Sequence, residues 1–410
     1  MKAVVIAIGS ELLHPGRRDT NAEWLTLRLL DIGIESCWRA VVADDEHRIA
    51  LLVRDAMAGA GVVILTGGLG PTDDDRTRTA LSLAFEAPLE RDPAMVRHIE
   101  SLFTARGRVA TPRQSLQAER PRGASWIPNA LGSAPGILAV HDRVVVAALP
   151  GVPAEMRAMF DEIVAPRLAG MARSGIARRT LRIAGRPESS VDEAVRDLYD
   201  APGVTTTILA SAGTVELLLL STGSDVREAR AKLATVEAAM RARLGDDLFG
   251  ADDETLASVV GGLLASRSRT VATAESCTGG LLGAALTEAP GSSAWFRGGV
   301  VCYANDLKTS LVTVPDTLIR AHGAVSEPVA RALATGARRV CGADFGLAIT
   351  GIAGPSGGTV DKPVGTVHLA LDDGAEVRAR KLDWPGDREL IRRRAVAAAL
   401  DLLRRRLIAR

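Results

Sequence analysis

The sequence predicts an α/β protein built from three successive units, residues 1–168, 175–248 and 253–408. Three observations lead there. The chain has 410 residues, more than one ordinary domain uses. In the first and last units, short apolar runs alternate with segments of helical period, the pattern of a parallel sheet covered on both faces. The shorter stretch between them reads as strand, helix, two strands, helix.

The elements follow in order. "AVVIAIG" is a buried strand, "NAEWLTLRLLDIG" a helix stopped by glycine, and "ESCWRAVVA" a strand. "DEHRIALLVRDAMAGA" is helical and "GVVILTGG" a fully apolar strand ending in glycines. "DRTRTALSLAFE", a less regular stretch, the strand "RVVVAALPG" and the helix "PAEMRAMFDEIVAPRLAG" complete the first unit. The middle unit runs through "RTLRIAG", "SSVDEAVRDLYD", "TTTILASA", "TVELLLLST" and "VREARAKLATVEAAMRARLG". Its order resembles the small KH-type modules, without the GXXG loop that grips nucleic acid, so it reads as a spacer or dimerisation module. In the last unit "TVATAES", "WFRGGVVCYAN", "FGLAITG", "GTVHLAL" and "EVRARKLDW" are strands, and a long helix closes the chain.

Composition excludes several classes. A net charge of +1 gives no general case for nucleic acid. Arg392 to Arg394 and Arg404 to Arg406 read as the wet face and end of the terminal amphipathic helix. No apolar run approaches a membrane span, and that of the first residues is too short for a signal peptide. Four scattered cysteines, Cys37, Cys277, Cys302 and Cys341, form no CxxC pair and fit a reducing, cytoplasmic setting.

Two constellations carry chemistry. After the first strand come Glu11, Asp19 and Asn21; after "GVVILT" come Gly67, Gly68, Gly70, Thr72, Asp74 and Asp75. Ligands of open sheets bind beyond strand carboxyl ends, where glycines let backbone N–H groups approach phosphate. Asp74 and Asp75 are candidate oxygen ligands for a divalent metal ion. A glycine turn before an acidic helix start explains each stretch taken singly.

The second constellation is "TAESCTGG", "CYANDLK", "AITGIAGPSGG" and "DKPVGTV". Ser276 is either a helix cap or a nucleophile, and a serine nucleophile needs a base. His322 and His368 fall outside the motifs and read as structural. Five lysines stand among 50 basic residues, and Lys308 and Lys362 both lie here. Lysine can serve as a base when burial lowers its pKa; arginine cannot. Tyr303 is a proton relay or a packed strand residue. The N–H groups around Thr278, Gly279 and Gly280 suit an oxyanion or a phosphate. Asn305, Thr350, Gly351, Gly354, Gly357 and Gly358 complete the set.

"GSELL…DTN", "GGLGPTDDD" and "PGVPAEM" resemble the N-terminal domain of the CinA family, the competence/damage-inducible proteins. The resemblance implies a three-layer, molybdopterin-binding-like domain with nucleotide-binding residues at the first constellation. In several members that domain hydrolyses ADP-ribose with a divalent metal. One departure is Leu116, which stands before Gln117 where the family usually has lysine. "AESCTGG", "YANDLK", "GAVSEPVA", "TGIAGPSGG" and "KPVGTV" resemble the CinA C-terminal domain, which also occurs alone as a nicotinamide mononucleotide deamidase. This implies hydrolysis of the nicotinamide carboxamide without a cofactor. Ser276 would be the nucleophile, with Tyr303, Lys308 and Thr350 in the same pocket. Small-molecule nucleotides are the implied partners, with no clear nucleic-acid or membrane site, and a homodimer is the implied assembly.

Overall fold

The computed structural model describes residues 1–171 and 175–409. Contacts divide the chain into two compact units, Met1–Arg178 with Ser221–Leu233, and Arg179–Leu220 with Ala234–Arg410.

In the first unit the chain runs β1 (Lys2–Ile8), α1 (Thr20–Asp31), β2 (Glu35–Val42), α2 (Glu46–Gly59), β3 (Val62–Thr66) and α3 (Thr77–Phe85). It continues with β4 (Leu89–Arg91), α4 (Pro93–Ala105), β5 (Glu119–Pro121), β6 (Ser125–Ile127), β7 (Gly136–His141), β8 (Val144–Leu149), α5 (Pro153–Met159) and α6 (Ala165–Ala169). The sheet order is β2-β1-β3-β8-β7-β6. Alternation along β1 sends Val4, Ile6 and Ile8 into one core and Ala3 and Val5 into the other. This is why both faces of an apolar strand need helices.

The expected parallel sheet is only partly parallel. β2, β1, β3 and β8 are parallel, but β7 returns antiparallel to β8 and β6 antiparallel to β7. The cause is a tight turn at Asp142 and Arg143, with φ of 47° and 70°. Two left-handed residues in succession match the twist of a hairpin, although neither is glycine or asparagine.

The middle strands are β9 (Gly175–Ala184), β10 (Val204–Ser211) and β11 (Thr214–Gly223), with helices α7 (Glu188–Val195) and α8 (Val226–Leu244). A strand that the sequence pattern did not mark, β12 (Leu248–Ala251), pairs antiparallel with β9, and the sheet order is β10-β11-β9-β12.

The last segment holds α9 (Leu256–Ser266), β13 (Val271–Glu275), α10 (Leu281–Glu288), β14 (Phe296–Val301), α11 (Asn305–Val312), α12 (Asp316–His322) and α13 (Glu327–Val340). It ends with β15 (Phe345–Gly351), β16 (Thr366–Asp372), β17 (Val377–Asp383) and α14 (Arg388–Ile408). The order is β14-β13-β15-β16-β17, with β13, β14 and β15 parallel and the last two antiparallel.

Of the arginines read as the wet face and end of α14, Arg393 is exposed, but Arg404 to Arg406 are drawn into ion pairs. Arg404 is 3% exposed and donates from Nε to Asp401 at 2.9 Å. Arg405 donates to the other Asp401 oxygen at 2.7 Å and to Asp247 at 2.6 Å. These guanidiniums anchor the helix, because a buried arginine is stable only when its donors meet carboxylates. Among the described residues no helix is long and apolar enough to cross a membrane.

Candidate functional site

In the last sheet β13 lies between β14 and β15, so the strand order reverses there. The crevice beyond the carboxyl ends of such strands is where α/β sheets bind ligands. The turn from Ser276 to Gly280 leaves β13 at that point. Two hydrogen bonds extend the ladder to hold it: Ser276 N–H donates to the Ile349 carbonyl at 3.0 Å, and Cys302 N–H to the Glu275 carbonyl at 2.9 Å. Ser276 therefore sits between the Cys302–Tyr303 segment and Thr350. Gly279 and Gly280 have φ of 59° and 98°, a left-handed pair that a side chain would strain.

Ser276 is not the cap of α10. The capping position is Gly280, and the helix start is held by Glu275. Its Oε2 accepts from the N–H groups of Gly280 and Leu282 at 3.0 Å, and its Oε1 from Gly283 at 2.8 Å. Glu275 is 1% exposed. A carboxylate at a helix N-terminus meets both the free donors and the dipole. Of the N–H groups expected to face an oxyanion, Gly280 is thus occupied, and Gly279 donates to the Ser276 carbonyl at 3.1 Å. The N–H groups of Cys277 and Thr278 have no acceptor among the described residues. The buried Thr278 hydroxyl has none either.

Glu275→Gln replaces one acceptor oxygen by a donor facing N–H groups. The expected result is a loss of about 1–3 kcal/mol of stability, read by denaturant unfolding. Stability unchanged within error would show that the carboxylate is not what holds the turn.

Two nucleophiles compete on this turn. Burial pushes the Cys277 thiol up to about 11, so the reactive thiolate is scarce at neutral pH. The Ser276 hydroxyl makes no hydrogen bond to any described residue. In the folded protein a thiol reagent at neutral pH is expected to label exposed Cys37 and leave Cys277 untouched, as peptide mass mapping will read. Rapid labelling of Cys277 would return the thiol to consideration.

Lys308, on α11, is 1% exposed and points back under the Cys302–Ala304 loop. Its Nζ donates to the carbonyls of Cys302 and Tyr303, each at 2.9 Å. No carboxylate pairs with it among the described residues, and burial pushes its pKa below the ordinary lysine value. Tyr303 is 55% exposed rather than packed, and its hydroxyl accepts from Arg388 at 3.0 Å. Asn305 is also exposed, at the first turn of α11.

Thr350 donates its hydroxyl proton to the Ala324 carbonyl at 2.9 Å. Lys362 donates to the carbonyls of His322 and Val325 at 2.7 and 2.8 Å, so it staples the neighbouring segment. Gly351 ends β15; Gly357 and Gly358 lie in the exposed loop after it. The Gly354 carbonyl in that loop accepts from Arg388 at 2.7 Å. Arg392, one turn further along α14, donates to the Thr278 carbonyl at 2.7 Å. Glu275, Arg388 and Arg392 are the residues that sequence reasoning missed. The i, i+4 spacing of the two arginines was their signal.

In the first unit the strand order reverses at β1, with β2 on one side and β3 on the other. A cleft of about 390 Å³ opens there, lined by Glu11, Gly67, Gly68, Gly70, Asp74, Asp75 and also Gln117. Asp19 and Asn21 line a smaller neighbouring pocket together with Glu11. Asp19 caps α1 through Ala22 N–H at 2.8 Å, and Asn21 donates to the Gly151 carbonyl at 2.8 Å. Gln117 is buried, and its Oε1 has no hydrogen-bond partner among the described residues.

Of the acidic pair read as candidate metal ligands, Asp75 also holds the glycine loop. Its Oδ1 accepts from Gly70 N–H at 2.7 Å, and its Oδ2 from the N–H and hydroxyl of Thr72 at 2.7 and 2.5 Å. It is the staple of the glycine loop, and Thr72 serves that staple. Asp74 is exposed, and a hydrogen bond from Thr72 holds it below the usual carboxylate range. Among the described residues no three His, Cys, Asp or Glu side chains gather to hold a metal ion. Glu11, Asp44, Asp74, Asp75 and Glu155 all line the cleft.

Three family models match. Residues 4–170 match the "Probable molybdopterin binding domain", residues 178–250 the "Damage-inducible protein CinA KH domain", and residues 253–407 the "CinA C-terminal domain". The chain is 45% identical over 411 residues to a CinA-like protein of Gloeobacter violaceus, covering 99% of this chain and 96% of that one. It is 44% identical over 410 residues to a CinA-like protein of Parasynechococcus marenigrum, covering 99% and 98%. Among solved structures, a competence-damaged protein (CinA) superfamily protein from Klebsiella pneumoniae is 35% identical with a TM-score of 0.36, covering 37% of this chain and 95% of that one.

Proposed function

The chain belongs to the CinA family over nearly its whole length, and from that premise we propose that its C-terminal segment hydrolyses the carboxamide of nicotinamide mononucleotide to a carboxylate and ammonia. One observation carries the reading. A serine hydroxyl with no hydrogen bond among the described residues stands at the sheet's switch point, on a turn that carries two N–H groups without a described acceptor; Cys302, whose N–H donates to the Glu275 carbonyl just before that serine, accepts at its own carbonyl from buried Lys308.

In the proposed mechanism, neutral Lys308 takes the Ser276 proton as Oγ attacks the amide carbon. The N–H groups of Cys277 and Thr278 hold the oxyanion. Collapse expels the amide nitrogen, which leaves as ammonia with the proton that Lys308 returns, and an ester remains on Ser276. Water adds to the ester, Lys308 takes its proton, and the carboxylate departs as Ser276 regains a hydrogen. Tyr303, held by Arg388, orients the loop that cages the lysine. Arg388 and Arg392 place positive charge beside the site, which suits a phosphorylated substrate.

A second reading attaches to the first unit: its cleft takes ADP-ribose or a pterin. The unpartnered oxygen of buried Gln117, which lines the cleft, favours a ligand there. Hydrolysis of ADP-ribose at this place is the rival activity. The purified full-length chain incubated with nicotinamide mononucleotide and with ADP-ribose, each with and without chelator, separates the readings. Ammonia from the mononucleotide that persists in chelator is the expected result. Cleavage of ADP-ribose alone, abolished by chelator, would overturn the assignment of the main activity.

A further inference from the structure

A second cavity, of about 420 Å³, lies within the second unit, away from the Ser276 turn. One wall is the hairpin between β10 and β11 with the turn after β9; the other is α14 with β17. Two glycines set the walls close together. A Cβ on Gly213 would come within 2.8 Å of the Ala397 Cβ, and one on Gly185 within 2.9 Å of the Arg405 guanidinium. Both have positive φ, so glycine suits the turn as well as the contact.

The lining has a particular chemistry. Arg380 reaches the cavity from β17 with no hydrogen bond or ion pair among the described residues. Arg394 gives one donor to the Pro385 carbonyl at 2.9 Å and meets no carboxylate. The third arginine, Arg186, is paired with Asp247. The one acidic group on the α14 wall, Asp401, has both oxygens engaged by Arg404 and Arg405. Glu188, exposed, is the remaining acid. Beside the two uncompensated guanidiniums lie the half-buried Trp384 indole and the apolar surface of Leu382 and Ala398. The volume falls within the roughly 300–1,000 Å³ of small-molecule sites.

We propose that this cavity is a binding site for a phosphorylated, ring-bearing small molecule of the mononucleotide class, distinct from the site at Ser276. Arginine forks recognise phosphate oxygens in two-point fashion, and an indole face accepts a planar base. A single indole suits one nucleotide rather than a strand, which needs successive stacking platforms.

The test uses the full chain with adenosine 5′-monophosphate as the probe, followed by tryptophan fluorescence and calorimetry. Binding with a quench is expected in the parent protein. Trp384→Phe should remove that component of the quench, and Arg380→Glu should weaken the corresponding site by about tenfold or more. Inorganic phosphate should compete. Arg380 is exposed, so the variant is expected to melt with the parent, and Arg380→Ala provides a milder second variant. Equal affinity and stoichiometry in the parent and both Arg380 variants would overturn the proposal. A quench of unchanged amplitude in Trp384→Phe, or one produced by a single-stranded oligonucleotide but by no mononucleotide, would overturn it too.

Discussion

Ser276→Ala is expected to lower ammonia release from nicotinamide mononucleotide by roughly 10³-fold or more while leaving the protein folded. The stability half of this expectation follows from the turn. Glu275, not Ser276, holds the start of α10, and the Ser276 side chain bonds to nothing described. A serine that capped a helix would cost about 0.5–2 kcal/mol on truncation. Here the change should lie within about 0.5 kcal/mol, as for a substitution that breaks no structural contact. Ammonia release and the unfolding midpoint, measured on the same preparation, check both halves. Parent-rate turnover in the variant would remove Ser276 from the chemistry.

The second large effect is at Lys308. Lys308→Met keeps an unbranched side chain one atom shorter and removes its donors, leaving the Cys302 and Tyr303 carbonyls without their 2.9 Å partners. The Cys302 carbonyl, left buried without a donor, costs about 1–3 kcal/mol, so both stability and turnover should fall. The pH dependence separates the two roles. Burial lowers the lysine pKa in the folded chain from the ordinary 10.5. Between the lowered value and about 10.5 the unfolded chain binds more protons, so stability rises with pH across that window. Below the window the cost of the buried ammonium is present in full. Turnover should climb over the same lowered pKa, because the neutral amine is the base. In Lys308→Met both the stability rise and the activity limb should vanish. A variant that retains the activity limb would assign it to another group.

Much of this was legible because strand ends and motif residues coincide in the chain. "TVATAES" and "FGLAITG" each carry a strand and the chemistry at its carboxyl end, and "CYANDLK" follows directly on a third strand, so Ser276, Lys308 and Thr350 could be named from local pattern. What escaped depends on distant partners. Arg392 meets Thr278 across 114 positions, and nothing in a chain so rich in arginine distinguishes it from a surface residue. Arg404 was misread for a different reason: its buried partner, Asp401, sits three residues away on the same helix, and spacing alone does not say which face is dry. Glu275 lay inside the motif but its neighbour's hydroxyl drew the capping role. The loop-holding role of Asp75 was not legible because a carboxylate after a glycine loop serves a metal or the loop equally well in sequence, and its three short hydrogen bonds show the loop role. The β7–β8 hairpin was hidden because Asp142 and Arg143 lack the usual turn chemistry.

The central claim is that this chain turns an amide into an acid at Ser276. Nicotinamide mononucleotide carrying ¹³C at the carboxamide carbon, followed by NMR with the full-length protein in excess chelator, tests it most directly. The expected result is a growing carboxylate resonance matched by an equal amount of ammonia, present in the parent protein and absent in Ser276→Ala. An amide resonance that persists unchanged in the parent, or that converts equally fast in both proteins, would contradict the claim.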